Sequence, residues 1–92
     1  MLSKKVQVEG KKEILFACPC CLYQTIKERG RYEICPVCFW EDDGNNEINR
    51  YSSVNNMTLL KGKDNFKKYA CVKETSIKFI NPDAKKHYSR NE

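Results

Sequence analysis

Two short cysteine runs constrain this chain more than any other feature. Cys18-Pro19-Cys20-Cys21 and Cys35-Pro36-Val37-Cys38 are separated by thirteen residues and hold five of the six cysteines. Two Cys-x2-Cys pairs joined by a short, turn-containing spacer are the pattern of a four-thiolate zinc site. Zinc takes four ligands in a tetrahedron, with sulfur about 2.3 Å away. One tight turn aims two thiolates at a common point only when few residues separate them. The proline after the first cysteine of each run fixes φ and stiffens that turn. The spacer is slightly shorter than the roughly 15–20 residues of the common template, and a compact hairpin spans it. The spacing selects Cys18, Cys21, Cys35 and Cys38 as metal ligands and zinc as the cofactor. The first run still offers three thiols for two positions, so a different first turn would bring in Cys20.

Disulfides are the competing use of paired cysteines, and they belong to oxidising compartments. The chain opens Met1-Leu2-Ser3-Lys4-Lys5-Val6 and turns polar, without the apolar run of a signal peptide. A cytoplasmic location and a metal site are therefore expected. A lone Cys-x2-Cys would also suit a redox site, but two facing pairs favour zinc. No stretch approaches the ~20 apolar residues of a membrane span, so no membrane association is expected. At 92 residues the chain should form a single domain, 1–92, near the lower limit for a self-sufficient core. Only 40% of it is hydrophobic and 32% is charged. A structural zinc site, contributing about 10–16 kcal/mol in finger peptides, relieves that shortage.

The expected fold class is a small α+β zinc-binding domain. It would be a zinc ribbon of β-hairpins clamped by a four-cysteine site, with one packed helix. The ribbon core covers 13–44. Val6 and Val8, then Ile14 and Phe16, alternate with their neighbours about Gly10 and predict an N-terminal hairpin that leads into Cys18. Tyr23 to Ile26 and Tyr32 to Ile34 predict a second hairpin closed by Glu28-Arg29-Gly30-Arg31, with Tyr23, Ile26, Tyr32 and Ile34 supplying bulk. Phe39-Trp40 reads as the mini-core beside the metal, with an exposed aromatic contact as the alternative. Glu41-Asp42-Asp43-Gly44 reads as a solvated or capping turn, and Asn45 to Asn56 as a loop.

Thr58 is placed to cap a helix from Leu59 to about Tyr69, giving a packed helical segment over 58–71. Leu59, Phe66 and Ala70 share its apolar face, aimed at Phe39 and Trp40. Gly62 suggests a close approach to another backbone. Cys71 reads as a small buried hydrophobe. Ile77 and Phe79 suggest a short strand over 76–80. The tail, 84–92, has no apolar pattern and is expected to be flexible, with His87 solvated. No internal repeat is evident.

The run from Gly30 to Gly44, GRYEICPVCFWEDDG, together with Cys18-Pro19-Cys20-Cys21, closely resembles the bacterial cysteine-rich CPCC domain. Asn65-Phe66-Lys67-Lys68-Tyr69 resembles its later helix, where an aromatic pair follows an asparagine. The resemblance covers roughly residues 16–72. It implies a small zinc-ribbon fold with Cys18, Cys21, Cys35 and Cys38 as ligands, and it brings no biochemical activity with it. Members of that family usually carry glycine directly after the Cys-Pro-Cys-Cys run, where this chain has Leu22. A positive φ at that position is costly for leucine.

Three functions compete. The first is a zinc-stabilised, non-catalytic module that binds another protein, as an inhibitor or immunity-type factor would. The second is a nucleic-acid-binding ribbon using Lys61, Lys67, Lys68, Lys73, Lys78, Lys85 and Lys86 against phosphates. The formal charge is +5, and the whole excess lies after residue 50, with nine basic against four acidic side chains. A four-thiolate zinc site would lower it to about +3, a modest excess that predicts weak or no nucleic-acid binding. The third is an enzyme. A catalytic zinc keeps an open position, usually with histidine among its ligands, and the single histidine lies in the tail. A non-enzymatic protein with a protein partner is the leading expectation, with a redox role for Cys20 as the remaining chemical option.

Overall fold

The backbone reverses at each cysteine run, and each reversal is flanked by a short antiparallel pairing. A computed structural model describes residues 14–90. The first strand expected for the N-terminal hairpin, with Val6 and Val8, lies outside them. Phe16–Ala17 (β1) pairs with Gln24–Ile26 (β2), Phe16 opposite Ile26 and Ala17 opposite Gln24. Around the second run, Tyr32 N donates to Asp42 O at 2.8 Å, Asp42 N to Glu33 O at 2.9 Å and Cys35 N to Trp40 O at 2.8 Å. Tyr23 to Ile26 therefore does not pair with Tyr32 to Ile34. Each segment pairs across its own cysteine turn, and Tyr32, at φ 60°, leaves the extended region and ends any ladder across the spacer. Ile26 is buried, whereas Tyr32 and Ile34 are exposed.

The spacer is held by side chains instead. The Glu33 carboxylate accepts from Lys27 N and Glu28 N, both at 2.9 Å. Asp42, expected in a solvated turn, is fully buried. Its carboxylate accepts from Arg29 Nε at 2.7 Å, Gly30 N at 3.0 Å and Gly44 N at 3.3 Å. Gly30 and Gly44 have φ of 78° and 86°, and a Cβ on Gly44 would lie 3.2 Å from the Gly30 Cα. Two glycines let the turns close around one carboxylate, because a buried charge needs its partners at contact distance. Asp42→Ala is expected to cost about 3 kcal/mol, the low end for breaking a buried ion pair, since Arg29 keeps some water contact. Urea unfolding measures it against Glu28→Ala, which removes only an exposed pair with Arg31. Equal losses for the two variants would refute the anchoring role of Asp42.

The segment expected as a loop contains a second hairpin, Tyr51–Ser52 (β3) with Met57–Thr58 (β4). Asn55 ties it to the second cysteine hairpin: its Nδ2 donates to Glu41 O at 2.9 Å, and its Oδ1 accepts from Glu41 N at 2.9 Å. A side-chain amide thus substitutes for a strand partner, and no hydrophobic period announces it. The helix (α1, Leu59–Tyr69) forms where expected. Thr58 caps it, accepting from Lys61 N at 3.1 Å. Ala70 ends it in the left-handed region at φ 62°. Leu59 and Gly62 are buried, Phe66 is half-buried, and Ala70 is exposed.

Residues 76–80 are not a strand. Glu74–Phe79 is a 3-10 turn that buries Ser76. Residues 84–90 of the tail are docked, contrary to expectation. Pro82–His87 forms a second 3-10 turn with Ala84 buried. Gln24 N then donates to Ser89 O at 2.8 Å, and Arg90 bridges Tyr23. Backbone groups left open on β2 bind this segment, which explains why its side-chain pattern was silent. The result is a small α+β fold with two β-hairpins, one helix and a four-cysteine cluster among the described residues. Among them no helix is long and apolar enough to cross a membrane.

Candidate metal centre

The two cysteine turns repeat one hydrogen-bond pattern. Leu22 N donates to Cys18 O and Cys18 N to Tyr23 O, each at 2.8 Å. Phe39 N donates to Cys35 O and Cys35 N to Trp40 O, also at 2.8 Å. The residue after each turn is left-handed, Leu22 at φ 69° and Phe39 at φ 73°. The positive φ at Leu22 is thus present, and neither position uses glycine. Later segments anchor the last cysteine of each turn through its carbonyl. Arg90 Nε donates to Cys21 O at 3.3 Å, and Val72 N donates to Cys38 O at 2.9 Å. The chain therefore carries a structural repeat, Cys18 to Tyr23 and Cys35 to Trp40. In it Cys21 corresponds to Cys38, and Cys20 corresponds to Val37.

The repeat brings four sulfurs together. Cys18, Cys21, Cys35 and Cys38 are all buried, and their Sγ atoms lie within 4.8 Å of one another. Cys18 and Cys38 are 3.6 Å apart, and Cys21 and Cys35 are 3.7 Å apart. A tetrahedron with metal–sulfur bonds of about 2.3 Å has sulfur–sulfur edges of about 3.8 Å. A disulfide would need about 2.05 Å, and all six cysteines are free thiols. The cluster has the donor chemistry and the spacing to hold a metal ion. These four are the residues that the Cys-x2-Cys spacing singled out.

The surroundings favour ionisation at one corner first. Thr25, buried on β2, donates its hydroxyl to Cys35 Sγ at 3.1 Å. Hydrogen bonds from Cys18, Cys21 and Cys38, with Thr25 adding to them, draw Cys35 far below the ordinary thiol range. Cys21 and Cys35 push Cys18 well above it, and burial does the same to Cys38. Within the cluster, Cys35 is thus the thiol whose ionised form its neighbours favour. The other protons leave when a cation compensates the thiolate charge. Thr25 escaped sequence reasoning, although its place between Gln24 and Ile26 sets it on the face that looks at the second run.

Cys20 stands outside this cluster. It is buried beside α1, where a Cβ on Gly62 would be 3.4 Å from its Sγ and 2.8 Å from Cζ3 of Trp40. The close approach expected at Gly62 is real, but it is made to the indole ring. Phe39 and Trp40 part company. Trp40 is fully buried under the helix, while Phe39 is half-buried at the core's edge and stacks on Phe79 at 5.6 Å and 15°. Cys71 is buried away from the cluster and donates its thiol to Lys73 O at 3.0 Å; burial pushes its pKa up. His87 is exposed.

Comparison with known proteins finds one family. Residues 16–87 match the family described as "Cysteine-rich CPCC". The match runs past residue 72, through both 3-10 turns, in keeping with the docked tail. No curated protein and no solved structure matches the chain.

Proposed function

Since this chain belongs to the cysteine-rich CPCC family, we propose that it is a zinc-stabilised, non-catalytic module whose partner is another protein. The carrying observation is the closed centre. Four buried sulfurs at tetrahedral spacing would fill the coordination of a zinc ion and leave no position for water or substrate. Cys18, Cys21, Cys35 and Cys38 would hold the ion. Zinc has no redox chemistry of its own and suits four soft thiolates, so the centre acts as a clamp. One zinc per chain is expected by elemental analysis.

The surface beside the clamp supports a protein partner. Phe39 and Phe79, with Val54, line one shallow hollow edged by Glu41, Lys73 and Lys78. Phe79 is 62% exposed. An aromatic pair inside a charged rim has the composition of an interface centre. Purification of the tagged, metal-loaded chain from its host should retain a protein partner. Phe79→Ala is expected to lose that partner while melting within about 3 °C of wild type, because the ring is mostly outside the core. A partner retained at full strength by Phe79→Ala would remove this face from the interface.

A further inference from the structure

The helix end and the docked tail together build a groove that contains none of the four clustered cysteines. It is lined by the rings of Tyr23, Phe66 and Tyr69 and by the cations Lys67, Lys68 and Lys85, with Arg90 at its edge and no carboxylate among its lining residues. The cations come from two separate segments, the last turn of α1 and the second 3-10 turn. Lys85 Nζ lies 5.3 Å from the Phe66 ring centroid, and Lys68 Nζ lies 5.6 Å from that of Tyr69. Tyr23 meets Phe66 edge-on at 6.5 Å. None of the three lysines has an ion-pair partner among the described residues. Complementing the helix dipole explains a lysine at position 67 or 68. It does not explain Lys85, which reaches the same groove from another element, or the rings between the charges.

We propose that this groove binds single-stranded nucleic acid, with phosphates on Lys67, Lys68 and Lys85 and bases stacked on the aromatic rings. Cations that track a backbone, interleaved with rings that accept any base face, are the working parts of sequence-tolerant single-strand sites. A duplex hides its base faces and would use the lysines alone. An acidic protein segment would likewise use the lysines and leave the rings idle. The weak binding expected from net charge assumed a loose tail. With the tail docked, Lys85 stands beside Lys67 and Lys68, and a local cation cluster replaces a diffuse excess. This groove is separate from the Phe39–Phe79 face, so either surface can fail its test without the other.

The test is fluorescence anisotropy of the full-length, zinc-loaded chain with a labelled oligothymidylate of about a dozen nucleotides. Three phosphate contacts should give a log–log salt slope of about −2, at roughly −0.7 per phosphate. Lys67→Ala with Lys68→Ala should reduce that slope to about −0.7. Tyr69→Ala should weaken binding about tenfold with the slope unchanged, and Tyr69→Phe should restore it. Thermal melts of the same samples confirm that each variant is folded. Absence of binding at about 50 mM salt would overturn the proposal. So would a duplex that binds as tightly as the single strand. Displacement by polyglutamate at equal concentration, together with an unaffected Tyr69→Ala, would reassign the groove to an acidic protein surface.

Discussion

Chelating the metal is expected to unfold the chain cooperatively. Among the described residues, half of the twelve buried hydrophobic residues are cysteines, and the larger side chains are Ile26, Val37, Trp40, Leu59 and Val72. So few apolar groups cannot offset the entropy of ordering a chain of this length. A structural zinc ion contributes about 10–16 kcal/mol of apparent binding free energy in finger peptides, and bound at this cluster it would supply folding energy. The prediction extends to single residues. Cys21→Ser should lose the metal and the folded state. Cys20→Ser should keep both, because Cys20 occupies the place of Val37 in the second turn and packs under the helix. Acid should act as a chelator does. The metal-bound fold holds almost no protons on its four sulfurs, whereas the unfolded chain binds four below the ordinary thiol pKa. The unfolded state therefore binds more protons, and stability rises with pH. Zinc content and circular dichroism, followed together against chelator and pH, check all three statements. An apo chain with an unchanged melting midpoint would sink the argument.

What was legible in the sequence was whatever chemistry or local period encodes. Two Cys-x2-Cys runs identify four sulfurs because ligand spacing is local. Thr58 and the 3.6-residue pattern after it identify the helix for the same reason. The pairing of the strands was not legible. Tyr23 to Ile26 and Tyr32 to Ile34 alternate equally well for either partner, and the choice rests on the backbone bonds of the cysteine turns. Aligning the two runs on their first cysteines would have exposed the repeat, since Leu22 then falls on Phe39 and Tyr23 on Trp40. Asp42 was misread because its partners are nonlocal: Arg29 lies thirteen residues earlier, and the Gly30–Gly44 approach leaves no periodic trace. The docked tail was invisible because its anchors, Cys21 O and Ser89 O, are backbone carbonyls that every residue possesses. Thr25 shows the limit on the site itself. Its hydroxyl matters only because the second run is folded against it.

Trp40→Ala should be the most damaging substitution that leaves the ligand set intact. The indole is fully buried beneath α1, and the helix approaches it so closely that a Cβ on Gly62 would fall 2.8 Å from Cζ3 and 3.1 Å from Cε3. Truncating a buried aromatic to alanine costs about 3–5 kcal/mol. In a domain of this size each kcal/mol is worth about 4–8 °C, so the midpoint should fall by at least about 12 °C with zinc present. Trp40→Phe should cost less. It keeps most of the ring, and it removes an indole Nε1–H that is buried without a hydrogen-bond partner among the described residues. Gly62→Ala tests the same contact from the helix side. Alanine favours the helix by about 1 kcal/mol, but the methyl must push into the indole, and overpacking costs about 1–3 kcal/mol. The net effect should be destabilising with Trp40 in place. In the Trp40→Ala background the methyl instead enters vacated space, so Gly62→Ala should become stabilising. The reversal of sign is a coupling that only direct contact produces. Thermal melts of the two single variants and the double variant decide the matter. Additive losses would mean that helix and indole do not share a core. An unchanged midpoint for Trp40→Ala with loss of the proposed partner would move the proposed binding surface from Phe39 to Trp40.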